Sequence, residues 1–276
     1  MIRSRSVMMF LCVVGWGGAV MAQSPGDGGA VQARLLGDHS AVAPGQTFRV
    51  GLLMDIAPKW HTYWLNPGDS GQTITIDWQL PDGWRAGTTR WPLPQRFTEA
   101  GLTTYGYTKQ VMLIVDMTVA DSAPADAMVT IAADVNWLEC QQACVPGQAK
   151  LTMKLAVAQQ ATQANQMLFD QWRRRLPRTV DQAHDVIAST SSPRVGQVVI
   201  KWKQPVHHVD VFPATGQAVE LAEIQTHHAG DTTQITCQPT IYLPDQLQSD
   251  TARLLVTYRD AAGQRRGVYV PVKVRP

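Results

Sequence analysis

Cys140 and Cys144 lie four residues apart in the run Trp-Leu-Glu-Cys-Gln-Gln-Ala-Cys-Val-Pro-Gly, residues 137–147, between two segments that alternate apolar and polar residues. Alternation at period two marks a strand with one buried face, and two such runs around a short turn predict an antiparallel hairpin. With Gln142 at the centre of the turn, Val129, Ile131, Ala133 and Val135 oppose Leu155, Met153, Leu151 and Ala149. One register thus gathers these apolar side chains on a single face, and a slip of one residue would scatter them. The same register sets Cys140 directly opposite Cys144. Opposed antiparallel residues hold their Cα atoms about 4.5–5.5 Å apart, within the roughly 4.4–6.8 Å span of a disulfide. Parity puts both cysteines on the side away from the core face, so both are expected within reach of another protein. The pair reads as a redox centre at an accessible hairpin tip.

The amino terminus bears on that chemistry. Met-Ile-Arg-Ser-Arg is followed by an apolar run from Val7 to Val20, then by Val-Met-Ala and Gln23-Ser24-Pro25-Gly26. A basic start, a short apolar run and small residues at a cleavage point predict a secretory signal peptide over residues 1–22. As a membrane anchor the run is short of about 20 residues and is broken by Gly15, Gly17 and Gly18. Cys12 leaves with the signal. The mature chain keeps Cys140, Cys144 and Cys237, so one cysteine stays unpaired or pairs between molecules. Loss of Arg3 and Arg5 leaves 22 basic against 22 acidic residues, without the clustered basic excess of a nucleic-acid-binding surface. The one basic run, Arg173 to Arg175, reads as a solvated helix end. No later segment is long and apolar enough to cross a bilayer as a helix.

Organisation follows from the patterning. Residues 48–54, 73–78, 111–115, 129–135 and 149–155 read as short strands with no interleaved helical pattern, which predicts an all-β, immunoglobulin-like sandwich over residues 23–157. Six of the nine tryptophans fall between Trp60 and Trp137 and are expected mainly in core and turn packing. Residues 158–180 lose the alternation. Leu168, Trp172 and Leu176 recur every fourth residue, as one stripe of a helix that Pro177 stops, predicting a helical linker. Residues 198–202, 235–237, 254–258 and 268–270 again read as strands, so a second, smaller β domain is expected over 181–276. Cys237 sits in one of these strands, where a lone cysteine is usually a small buried filler.

Three readings of the pair compete. As a staple it closes so short a loop that the chain-entropy gain is small. As half of a metal site it would need His61, His207 or His208 around Zn or Cu(I). The pairs His207-His208 and His227-His228 belong to the other domain, however, and the six methionines after residue 22 show no Met-x-x-Met clustering. The third reading, thiol–disulfide exchange, suits an exposed and tightly closed disulfide. No metal or other cofactor is assigned.

Trp137-Leu138-x-Cys140-x-x-x-Cys144-x-Pro146, preceded by His61-Thr62-Tyr63-Trp64-x-Asn66-Pro67-Gly68-Asp69-Ser70-Gly71, resembles the N-terminal periplasmic domain of the DsbD/ScsB thiol:disulfide interchange proteins. Trp91-Pro92-x-Pro94-x-Arg96-Phe97 and Gly101-Leu102-x-x-Tyr105-Gly106-Tyr107 fit the same family. The resemblance covers about residues 35–157 and extends weakly into the second domain through Phe212-Pro213. It implies a periplasmic sandwich whose pair exchanges electrons with thioredoxin-like oxidoreductases, with Cys144 as the sulfur that meets the partner. Glu139, next to Cys140 in sequence, is expected to disfavour a thiolate there. The family's cap loop maps to Thr103-Thr104-Tyr105-Gly106. Thr104 stands where relatives carry an aromatic, so shielding is expected from Phe97, Tyr105 or Tyr107. Full-length members continue into a membrane domain that delivers electrons, so a separate membrane thiol reductase is expected here. The alternatives are a two-domain adaptor with a structural disulfide and a copper-handling protein.

Overall fold

The computed structural model describes residues 29–99, 101–191, 195–215, 218–246 and 249–275; the expected signal peptide, with Cys12, lies outside them. The first half contains β1 (Val31–Gly37), β2 (His39–Val42), β3 (Thr47–Ile56), β4 (His61–Gly68), β5 (Thr75–Gln79) and β6 (Arg85–Ala86). It continues through β7 (Gln95–Glu99), β8 (Leu102–Tyr107), β9 (Gln110–Thr118), β10 (Ala127–Cys140) and β11 (Cys144–Val157). These form an all-β sandwich. One sheet runs β1-β3-β9-β6, and the other runs β2-β11-β10-β4-β8-β7 with β5 also on β10. Between them lie Phe48, Leu52, Trp64, Leu113, Ile114, Ile131 and Leu155, all nearly inaccessible to solvent. The β10–β11 register matches the pairing expected from the sequence at every position named, from Val129↔Leu155 to Cys140↔Cys144.

The connecting segment is more closely packed than a linker. After β12 (Thr162–Gln163), which pairs with β2, the helix α1 spans only Gln166–Arg173. Phe169 and Trp172 are buried in the first core, with Leu168 and Leu176 partly buried beside them. A stripe read at every fourth residue contains Trp172 but misses Phe169, which shares the face at i, i+3. The expected helix over 158–180 is therefore replaced by a short helix docked on the sandwich. Arg173 bonds Asp170, and the Arg175 guanidinium lies 4.3 Å from the Trp172 ring centroid.

The second half holds β13 (Arg178–Thr179), β14 (Val186–Ser191), β15 (Gln197–Trp202), β16 (His207–Pro213), β17 (Val219–Ala229), β18 (Thr232–Ile241), β19 (Thr251–Arg259) and β20 (Arg265–Lys273). Two four-stranded sheets, β13-β20-β19-β16 and β14-β15-β18-β17, enclose a second core that includes Trp202, Tyr258, Val256 and Val270. Cys237 is the free cysteine among the described residues. It is buried in that core, and burial pushes its thiol up to about 11, which suits the filler role. Phe212, Ala214 and Leu255 come from the second half yet pack into the first core. No helix among the described residues is long and apolar enough to cross a membrane.

Candidate functional site

The two cysteines close the β10–β11 hairpin as a disulfide, with Cα atoms 4.2 Å apart, just under the expected span. Gln141, Gln142 and Ala143 make the turn, where the Gln141 N–H donates to the Ala143 carbonyl. The two sulfurs do not share one environment. Cys144 is exposed, as are Ala143, Val145 and Pro146, whereas Cys140 keeps only 3% of its surface accessible. The expectation that both are reachable is thus corrected for Cys140. Parity assigned the face of the sheet properly, but it carried no information about what neighbouring strands of the same sheet lay over that face.

What covers Cys140 comes from β4. His61 is the direct cross-strand partner of Cys140, so the two side chains share a face with Cβ atoms about 4.5–5.5 Å apart. Tyr63, two residues on, points the same way. Its hydroxyl donates to Cys140 Sγ at 3.0 Å and lies 3.4 Å from Cys144 Sγ. Burial raises the Tyr63 phenol above its usual range, with the Glu99 carboxylate adding to the effect, so it stays a donor at neutral pH. The His61 ring meets Tyr63 edge-on at 5.3 Å and stacks on Phe97 at 4.9 Å. Burial draws the imidazole below its ordinary 6.5, partly opposed by Glu99.

The loop after β4 supports this cover. A Cβ on Gly71 would fall 2.2 Å from Tyr63 Cε1, and the φ of +103° suits glycine. Asp69 binds the Thr103 N–H through its side chain and the Thr103 carbonyl through its own N–H, which fastens the loop to β8. Gly106 pairs with Tyr63, and a Cβ there would meet the Thr62 carbonyl oxygen at 1.9 Å. Gly106 is therefore demanded by close strand approach.

The other cap residues divide. Phe97 reaches the pair's cover through His61. Thr104 is its cross-strand partner in the β7–β8 hairpin and is partly exposed. Tyr105 packs instead against Trp64 and Phe212, with the Arg96 guanidinium 5.2 Å from its ring. Tyr107 is buried and donates to the Pro92 carbonyl at 2.8 Å. Of the three aromatics expected to shield the disulfide, Phe97 is the one placed beside its cover. Tyr105 and Tyr107 anchor the base of the hairpin.

Glu139 also departs from expectation. Its carboxylate is buried on the opposite face from Cys140 and accepts from the Ala30 and Val31 N–H groups and the Trp137 indole, at 2.8–3.1 Å. Its charge is committed to three donors and turned from the sulfurs. Sequence adjacency therefore does not bring the carboxylate into contact with the Cys140 sulfur. Tyr63 escaped the reading of the pair, and His61 entered it only as a possible metal ligand; their matching parity, with His61 two residues before Tyr63, was the available signal.

Among the described residues no three His, Cys, Asp or Glu side chains gather as a metal site. His228 accepts from Thr233 and donates to the Val206 carbonyl, and Thr233 takes the Trp202 indole proton. That histidine is a satisfied structural group.

Comparison with known proteins bears on this geometry. The family model described as thiol:disulfide interchange protein DsbD, N-terminal, matches residues 32–156. No curated protein sequence matches the chain. Among solved structures, the N-terminal periplasmic domain of ScsB from Proteus mirabilis is similar over 93% of this chain and 98% of its own, with TM-score 0.67 and 21% identity. A protein of unknown function from Porphyromonas gingivalis W83 follows at TM-score 0.28 and 11% identity, covering 89% of this chain and 100% of its own. The first of these shows a shared fold across both halves. With its sandwich, its hairpin disulfide and its match to the family model, the segment 32–156 is similar to the N-terminal domain of the DsbD thiol:disulfide interchange proteins.

Proposed function

We propose that the chain is a periplasmic thiol–disulfide exchange protein working through Cys140 and Cys144. The observation that carries this reading is the asymmetry of the pair: an exposed Cys144 sulfur bonded to a buried Cys140 sulfur that accepts a hydrogen bond from the Tyr63 hydroxyl. An incoming sulfur can reach only one of the two. In the electron-donating direction, the Cys144 thiolate attacks a partner disulfide, and one partner sulfur leaves as thiolate. Cys140 then attacks Cys144 Sγ, the intramolecular bond forms and the second partner sulfur departs. The partner gains two electrons and the pair loses them. The match of residues 32–156 to the family model supports this chemistry, and the likeness to a periplasmic domain supports the location. A thioredoxin-like oxidoreductase is the fitting partner on one side, and a membrane thiol reductase the source of electrons on the other.

Cys140→Ser removes the resolving sulfur. Reduced Cys140→Ser protein incubated with an oxidised thioredoxin-like oxidoreductase should accumulate a mixed disulfide through Cys144, seen by mass spectrometry and dissolved by dithiothreitol. The wild-type bond should have a potential on the order of −200 mV. A potential below about −300 mV, together with no trapped adduct, would mark the disulfide as a staple and leave the adaptor reading in its place.

A further inference from the structure

Resolution requires Cys140 to lose its proton, and Cys140 is the buried sulfur. A thiol away from water holds its proton more tightly than the ordinary value of about 8.5, so an unaided Cys140 would be slow to attack at neutral pH. The residue directly across the strand pair is His61, on the same face as both sulfurs. Its ring is held on one side by Phe97, stacked at 4.9 Å, and on another by the Tyr63 ring at 5.3 Å. The groups that face it are few: Cys140 from β10, Tyr63 from β4 itself and Glu99 from β7. Glu139 is turned to the other face and committed to Ala30, Val31 and Trp137.

We propose that His61 is the proton acceptor for Cys140 in the resolving step. The neutral imidazole takes the Cys140 thiol proton. Cys140 Sγ bonds Cys144 Sγ, the bond from Cys144 to the partner breaks, and the partner sulfur leaves with the electron pair. In the reverse direction the imidazolium returns its proton to the Cys140 thiolate as an outside thiolate opens the bond at Cys144. Burial favours the neutral ring at pH 7, which is the form a base needs. Tyr63 keeps its own proton and steadies the sulfur. The inference rests on the exchange function proposed above.

The closure step can be watched alone with oxidised glutathione as the probe. Reduced protein forms a glutathione adduct on Cys144. Closure then releases glutathione in a first-order step, followed by acid quench and mass spectrometry from pH 5 to 9. Wild-type closure should rise with pH through a value below 6.5 and level off near neutrality. His61→Gln, and His61→Phe, which keeps a ring against Phe97, should close tenfold or more slowly at pH 7. Both should go on accelerating about tenfold per pH unit toward the thiol range. Superimposable profiles would overturn the proposal, as would a wild-type profile climbing unbroken to pH 8.5, a result that needs no variant. A reduced pair that forms no adduct at all defeats the exchange function itself. An adduct that closes with an unaltered profile defeats only the role of His61.

Discussion

Tyr63 serves two sulfurs with one proton. In the oxidised state its hydroxyl is nearer Cys140 than Cys144, by 3.0 against 3.4 Å, and a disulfide sulfur is a weak acceptor. When the bond opens at Cys144, Cys140 departs as a thiolate and the same hydrogen bond becomes charge-assisted. Such bonds are worth about 1.5–3 kcal/mol against roughly 0.5–1.5 for neutral ones, so the difference favours the opened state by about 1 kcal/mol. Tyr63→Phe should therefore slow reduction of Cys140–Cys144 by dithiothreitol roughly fivefold to tenfold at pH 7, measured by quenched mass spectrometry. The ring and its contact with Gly71 would remain. A rate equal to wild type would show that the hydroxyl only fills space. At this scale the sequence was readable for the sulfurs and unreadable for their cover. The register of the hairpin follows from alternation, but that Tyr63 reaches the sulfurs depends on which strand lies beside β10. Glu139 shows the converse: its neighbour in sequence is Cys140, while its neighbours in space are Ala30, Val31 and Trp137.

Among the elements, those whose residues alternate or form an unbroken apolar run were legible. β3, β9, β10 and β11 include the runs that alternate or stay apolar, and they sit where the pattern put them. β4 was hidden because its first four residues, His61 to Trp64, are all buried, so no period of two survives, and Pro67 and Gly68 imitate a loop. The β7–β8 hairpin was hidden for a different reason: β7 is largely exposed and polar, and its place is fixed by residues far along the chain. Arg96 donates to Asp210 at 2.8 Å and to the Val211 carbonyl at 2.7 Å, and its guanidinium lies 5.3 Å from the Phe212 ring centroid. Arg265 donates to the Pro94 carbonyl, and Gly267 leaves room for Leu93. The segment Trp91–Phe97 thus acts as a strap held by the second half, with Phe97 and the cover of Cys140 at its end. Arg96→Ala should cost little global stability, about 1 kcal/mol, because the ion pair is partly exposed. It should nevertheless loosen the hairpin, and Cys140 in the reduced protein should react with iodoacetamide several times faster while Cys144 is unchanged. Equal acceleration at both sulfurs, or none, would show that the strap does not govern access.

At the scale of the whole molecule, the two halves share apolar contacts that a simple linker would not provide. Phe212, from β16, is fully buried and meets Trp64 at 6.0 Å and Tyr105 at 5.3 Å, both edge-on. Trp64 stands next to Tyr63 in β4, and Tyr105 anchors the hairpin that carries Phe97. A side chain of the second half is therefore packed one residue from the group that bonds the sulfurs. Buried aromatics of this kind contribute both area and geometry, and truncating one costs about 3–5 kcal/mol. If the halves unfold together, that loss falls on a single transition. Phe212→Ala removes the central shared ring, a side chain that the second half contributes to the first core, and leaves the second core intact. It should convert one calorimetric transition into two, the earlier accompanied by faster reduction of Cys140–Cys144, since freeing the second half also frees the strap. Leu255→Ala, at the same junction, should act in the same direction. A single transition merely shifted to lower temperature, with reduction kinetics preserved, would mean that the second half stabilises the sandwich without controlling its disulfide.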